Sequence, residues 1–330
     1  MMVMSNRIAR SVLLPLSLAA LAAAPHAALA RAEEPAVLSP PEIIAAAPAA
    51  QWVAIAPADL LVMDLAPDAG SRDFGGHEAG AHVRRVVIHL LPAPFSQGWI
   101  GNIRKLAAAH WWDGTSVNRT QDNYVVQWGD PDGDDKARAK PLPAGLIDNG
   151  ENAYVAPRFA LAPGAEAAPA YGADAYAGEN RIISGWPIGL DKDHAWPLHC
   201  YGMVGVGRDN PPDTGSGAEL YVVIGQAPRQ LDRNIALVGR VIEGIELLSS
   251  LPRGTGPIGF YTRAAERVPI VAIRNGGDVP GLPRYQMLDT NGSAFARYAD
   301  ARANRRDRFF IRAAGGVDVC NVPVPVRRAP

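Results

Sequence analysis

The 330-residue chain has only two cysteines, no excess of either charge and, past its first thirty residues, no apolar run long enough to cross a bilayer. Two cysteines build neither a disulfide framework nor, by themselves, a tetrahedral zinc site. Balanced charge, 32 Lys and Arg against 33 Asp and Glu, argues against a nucleic-acid surface as the main purpose. No G-x-S-x-G elbow, Walker loop or H-E-x-x-H occurs. Gly202, Gly205 and Gly207 give G-x-x-G-x-G between strands, the wrong spacing for a dinucleotide. Seven histidines are scattered, and the pairs His194 with His199 and His77 with His82 lack further ligands. They read as surface or core histidines, and no metal or cofactor is implied. What is abundant is Gly, at 33, and Pro, at 29. That composition disfavours a helical bundle and points to turns, short strands and long loops.

The amino terminus has an export pattern. Arg7 and Arg10 supply a basic start, Val12–Ala24 an apolar run, and Ala28-Leu29-Ala30 the small-x-small pattern of a signal-peptidase site. As a helix the run is roughly 20 Å long, short of the ~30 Å hydrocarbon core. Residues 1–30 therefore read as a cleaved secretory signal rather than an uncleaved anchor. Cleavage takes away two of the 32 basic residues and no acid, leaving a net charge of −3. The expectation is a soluble periplasmic protein with no stable membrane insertion. In that compartment Cys200 and Cys320 could close one large loop as a bridge or stay as two buried thiols. The sequence leaves both open.

Residues 31–50 are rich in Ala, Pro and Glu without periodicity and read as a linker. Gln51–Leu65 and Val83–Leu91 are strand-like and flank a Gly/Asp-rich stretch, Ala66–Ala81, which suggests a hairpin with a long loop. In Ser96–Ala109, the residues Trp99, Ile100, Ile103, Leu106 and Ala107 share one helical face. Gly98 and Gly101 weaken that helix, so packing must hold it. Asp130–Trp196 shows no sustained period and reads as an extended insertion (about 131–196) with one strand near Tyr154–Leu161. Strands are expected at Gly202–Val206, Glu219–Ile224, Ile235–Val241 and Val268–Arg274, with a short helix at Glu243–Leu251. Short strands separated by turns describe a barrel or sandwich. An extension, 276–330, carries a polar helix at Ser293–Phe310 outside the core. Its Arg297, Arg302, Arg305, Arg306 and Arg308 read as a solvated helix face, with a nucleic-acid or membrane patch as the alternative.

The order of motifs around Val117–Asp130 (VNRTQDNYVVQWGD) is the most informative feature. Asn102-Ile103-Arg104 and Trp112-Asp113-Gly114 precede Arg119 and Gln127-Trp128-Gly129-Asp130. Gly217-Ala218-Glu219-Leu220-Tyr221-Val222 and Leu237-Val238-Gly239-Arg240-Val241-Ile242-Glu243-Gly244 follow. This order resembles the cyclophilin-type peptidyl-prolyl isomerases over roughly Trp52–Arg274. The resemblance implies a mainly β fold, a closed eight-stranded antiparallel barrel over residues 51–275 capped by two helices, with a groove on its outer face. It implies Arg119 as the catalytic arginine, Tyr124, Val125, Tyr221 and Leu231 as an apolar pocket, and Gln127 as a pocket glutamine. Gly207 and Arg208 stand at the family's backbone-contact pair. Three positions depart from the family: Glu219, Gln230 and Ile235 stand for glutamine, tryptophan and histidine. Glu219 would place a carboxylate close to Arg119, to orient or to neutralise the guanidinium.

Strand parity puts Glu219, Tyr221 and Val223 on one face and Leu220, Val222 and Ile224 on the other. Arg119 and Gln127 cannot be related by parity, because Thr120–Asn123 interrupts the strand pattern. The activity implied is cis/trans isomerisation of X-Pro bonds, which needs neither nucleophile nor metal. A guanidinium that bonds the prolyl nitrogen only when the amide is twisted lowers the barrier selectively. The implied partners are proline-containing segments of unfolded or folding exported proteins. The second reading is a catalytically weak or inactive proline-peptide-binding chaperone or scaffold module.

Overall fold

The structure is a computed structural model that describes residues 37–67, 84–161 and 171–330. The expected signal segment, the loop with His77 and His82, and residues 162–170 lie outside the described residues. Helix α1 (Pro40–Ala45) begins where the amide and hydroxyl of Ser39 both donate to the Glu42 carboxylate, at 2.7 and 2.6 Å. Strands β1 (Trp52–Ile55), β2 (Leu60–Leu65) and β3 (Arg84–Leu90) precede helix α2 (Gln97–Ala108). The hairpin β4 (Ser116–Thr120) and β5 (Val125–Gly129) follows. The insertion holds β6 (Ala156–Pro157), β7 (Glu179–Ile183), β8 (Trp186–Leu190) and β9 (His194–Pro197). Then come β10 (Met203–Val206), β11 (Leu220–Val223), β12 (Leu237–Glu243), α3 (Glu246–Ser249) and β13 (Val268–Asn275). The chain ends through β14 (Tyr285–Leu288), α4 (Ser293–Ala303) and β15 (Val326–Arg328).

Eight strands close an antiparallel barrel in the order β10-β11-β5-β4-β13-β2-β3-β12, as the resemblance implied. Alternation decides its inside. Met63, Ile88, Val126, Trp128, Leu220 and Val222 point into one apolar core, and α2 adds Trp99, Ile103 and Leu106 to it. The two motifs around α2 hold the approach to β11. Trp99 Nε1 donates to the Gly215 carbonyl (2.9 Å), Asn102 Nδ2 to that of Ser216 (3.0 Å), and Trp112 Nε1 to that of Ala218 (2.8 Å). Gly98, a weakness for the helix alone, is where Asn149 of the insertion crosses; a Cβ there would collide with its side chain.

Two smaller sheets pack on the barrel, with orders β6-β9-β8-β7 and β1-β14-β15. Arg240 of β12 sits where all three meet. Its guanidinium stacks over Trp186 at 4.5 Å, lies beside Met287 and donates to the Gly185 carbonyl at 2.7 Å. Burial lowers its pKa to about 10.

Three expectations change. The linker reading of 31–50 fails over its described part, since α1 buries Pro40 and Ile43 and packs against α4. Six residues are too few to show a period, so the composition hid it. The insertion is a four-stranded sheet, of which only the two-residue β6 lies in the expected Tyr154–Leu161. The C-terminal helix stops at Ala303 and is not outside the core, because Ala294, Phe295, Tyr298 and Ala299 are buried in it. Arg305, Arg306 and Arg308 therefore lie beyond the helix. Cys200 and Cys320 form a disulfide with a Cα–Cα distance of 5.0 Å, tying the C-terminal segment to the chain just before β10.

Candidate functional site

One row of the barrel ladder collects the groups that matter. Arg119 pairs with Gln127, Gln127 with Tyr221, and Tyr221 with Gly205, across β4, β5, β11 and β10 in turn. How Arg119 enters this row is a matter of register. Val117 is buried opposite Trp128, so simple alternation would turn Arg119 inward as well. Between Val117 and Arg119 the ladder slips by one residue, with Asn118 the extra one. This bulge reverses the parity, and Arg119 faces outward beside Gln127 while Thr120 and Val126 turn in. Parity could not predict the pairing from sequence because the bulge carries no compositional mark.

The guanidinium is held on several sides. Nε donates to the Ile258 carbonyl (2.7 Å), Nη1 to Gln127 Oε1 (3.1 Å) and Nη2 to Gln121 Oε1. The rings of Tyr124 and Phe260 flank it at 5.6 and 5.5 Å from their centroids. Ile258 adopts φ 46°, a left-handed conformation that a β-branched residue rarely takes. Strain is thus localised at the carbonyl that receives Arg119. Gln121, Ile258 and Phe260 have no sequence signal pointing to Arg119; only the bridge between Arg119 and Phe260 brings the last two close. Half-burial lowers the Arg119 pKa from its ordinary value. Of its five N–H donors, the three bonds leave two unused, one on each terminal nitrogen.

Glu219 stands one pleat along, between two glycines. A Cβ at Gly129 would collide with its carboxylate, and the Gly207 amide donates to its backbone carbonyl at 2.8 Å. The resemblance implied a Glu219 carboxylate close to Arg119; among the described residues the two form no ion pair. The carboxylate lies beside the Gln127 side chain and the Asp130 amide instead. Gln127 stands between, its amide oxygen toward Arg119 and its nitrogen toward Glu219. Burial, opposed by those two polar neighbours, raises the Glu219 pKa to about 8.

Beside this row lies an apolar floor of Val125, Tyr221 and Val223, with Tyr124 and Ile235 packed on it. The parity of β11 is as expected, Tyr221 and Val223 on the outer face and Leu220 and Val222 in the core. Leu231 is not part of the floor; it is half-buried on a single 3₁₀ turn, and Ile235 takes the place beside Tyr221. Arg208 does not reach into the groove, since its guanidinium donates to the carbonyls of Asn234 (3.0 and 2.9 Å) and Asp209 (2.6 Å). Gln230 is exposed.

Tyr221 is only 4% exposed, and its ring lies flat across β10, where a Cβ on Gly205 would collide with its Cζ and Oη. The hydroxyl meets His199 Nε2 at 2.9 Å. Asp232 accepts from His199 Nδ1 (2.8 Å), which leaves Nε2 to accept the tyrosine hydroxyl. Arg229 then bridges Asp232 (2.6 Å) and Asp174 (2.8 Å) of the insertion. All of these side chains are buried. His199, which reads from sequence as a surface or core histidine, supports the pocket tyrosine. Its partner Asp232 lies 33 positions away, too far for spacing to reveal the pair.

The family model described as cyclophilin type peptidyl-prolyl cis-trans isomerase/CLD matches residues 99–275. The crystal structure of the cyclophilin AquaCyp293 from Hirschia baltica is similar with a TM-score of 0.59 at 18% identity, over 84% of this chain and 94% of that one. At that identity the likeness concerns the fold alone. A cyclophilin-type peptidyl-prolyl cis-trans isomerase from Cryptosporidium parvum matches with a TM-score of 0.37 at 13% identity, over 65% of this chain and 96% of that one. No curated protein sequence matches the chain.

Proposed function

Because the chain belongs to the cyclophilin-type peptidyl-prolyl cis-trans isomerase family, we propose that it catalyses cis/trans exchange of X-Pro bonds, with Arg119 as the catalytic residue. The observation that carries this reading is the single ladder row in which Arg119, Gln127 and Tyr221 stand side by side on the outer face. Its natural substrates are proline-containing segments of folding exported proteins, reached after removal of the amino-terminal signal.

Rotation about an X-Pro bond faces a barrier of about 18–20 kcal/mol from amide resonance. At the top of that barrier the prolyl nitrogen regains its lone pair and becomes a hydrogen-bond acceptor. An unused Arg119 N–H supplies the donor. Its other bonds, to Ile258, Gln127 and Gln121, hold the donor in place, so little reorganisation accompanies the reaction. The proline ring rests against the partly exposed Tyr124 and Ile235, which cover the buried floor, and there water is displaced from the twisting amide. A bond made only in the twisted state speeds both directions equally and leaves the equilibrium unchanged.

The test is exchange in short X-Pro peptides, followed by NMR, with wild type and Arg119→Ala. Loss of one oriented donor should slow exchange by about 10²–10³-fold. Uncatalysed rates for both proteins, with peptide binding retained, would overturn the enzyme and leave the proline-peptide-binding module.

A further inference from the structure

We propose that the loop after α4 docks the protein on an anionic phospholipid surface. Arg305–Arg312 (RRDRFFIR) holds four arginines and one aspartate around three large apolar residues. Phe309 is 84% exposed and Ile311 97%, with Phe310 between them also exposed. Soluble surfaces seldom leave neighbouring aromatic and aliphatic side chains uncovered without a partner. Here the three lie together at a tip, turned by the Phe310 amide donating to the Asp307 carbonyl at 3.0 Å.

Charge names the partner. Arg305 is bound to Asp307 at 2.6 Å and stacks on Phe310 at 4.3 Å, so the one acid of the tip is already matched. Arg306, Arg308 and Arg312 are exposed and have no ion-pair or hydrogen-bond partner among the described residues. Apolar side chains that can enter the acyl boundary, ringed by unmatched guanidinium groups, complement a bilayer carrying negative headgroups. The loop is also held at both ends. Before it, α4 buries Phe295 and Tyr298 in the core; after it, Val319 is buried and Cys320 is fixed by its disulfide. The tip is therefore presented by a fixed base rather than by a free tail. The inference is independent of the isomerase reading, since none of these residues lies in the ladder row.

The experiment is sedimentation of the full chain with vesicles of phosphatidylcholine, with and without phosphatidylglycerol. The wild type should bind the phosphatidylglycerol vesicles, and added salt should release it. Each arginine near such a surface contributes about fivefold in affinity. The combined change Arg306→Gln, Arg308→Gln, Arg312→Gln should therefore weaken binding on the order of a hundredfold. Phe309→Ser with Ile311→Ser should also weaken it, and neither set should alter X-Pro exchange or the melting temperature. Tryptophan emission from Phe309→Trp should shift to the blue when phosphatidylglycerol vesicles are added. Equal binding to both vesicle types overturns the proposal, as does binding that neither set of changes weakens. Self-association through the tip without vesicle binding would assign it to a second copy, and retention on nucleic acid without vesicle binding to a polyanion; either overturns it too.

Discussion

Replacing Glu219 by Gln tests what burying a carboxyl group beside Gln127 does to the molecule. In the folded protein this group titrates at about 8 rather than at its ordinary 4.5. The folded state therefore holds a proton that the unfolded chain has already released between those values. Stability must fall as pH rises through that window: the contribution is intact below about 4.5 and fully lost above about 8. One pH unit is worth about 1.4 kcal/mol, so the loss is about 3 kcal/mol at pH 7. Glu219→Gln keeps the neutral shape but places an amide nitrogen near one of the two donors, the Gln127 side chain or the Asp130 amide. That mismatch costs about 1 kcal/mol. The variant should be about 2 kcal/mol more stable than wild type near pH 7 and about 1 kcal/mol less stable near pH 4.5. Urea unfolding at several pH values, with the disulfide intact, measures both numbers. Because the carboxyl group reaches Arg119 only through Gln127, exchange below pH 8 should stay near the wild-type rate. A wild-type midpoint that does not change between pH 4.5 and 8 would refute the reasoning, as would an advantage of the variant that is constant with pH.

Other perturbations separate the parts of the site. Tyr221→Phe removes the hydroxyl and leaves His199 Nε2 buried without a partner, which should cost about 1–3 kcal/mol in unfolding free energy. If the ring then tilts off Gly205, KM for an X-Pro peptide should rise more than kcat falls. Phe260→Ala takes away one of the two rings beside Arg119, and steady-state kinetics should show kcat falling with KM nearly unchanged. Cys200→Ser with Cys320→Ser opens a loop of 120 residues and should lower stability by about 2–5 kcal/mol, read as a lower urea midpoint.

Much of the barrel was legible because its strands obey period two. In β11 the outer Tyr221 and Val223 and the inner Leu220 and Val222 fall as alternation requires. The helix before β4 was legible from its apolar face, and Arg119, Gln127 and Tyr221 from the order of motifs around them. The insertion was not. Pro187 and Gly189 interrupt β8, and both residue types ordinarily count against a strand; yet β8 pairs on both sides, with β7 and β9. Gly189 is where Trp196 crosses closely, so a residue that weakens the local propensity serves the packing. Parity alone could not set Arg119 beside Gln127, since the extra Asn118 is invisible without the partner strand. Ile258 and Phe260 beside Arg119, and Asp232 behind the His199 that holds Tyr221, come from remote segments, where neither spacing nor periodicity operates.

Gly205 and Tyr221 set an order on mutational history. Any side chain at 205 would occupy the volume now filled by the tyrosine ring, so the first step away from this pair must be taken at 221. A smaller residue there would free the strand to accept a Cβ, but it would also strip His199 of the hydroxyl it holds. The reverse path, from a strand bearing a side chain at 205, must lose that side chain before a flat tyrosine can be gained. Reconstructed intermediates carrying Gly205→Ala with Tyr221 kept should be the least stable members of the series, and the same change made with Tyr221→Val should be tolerated.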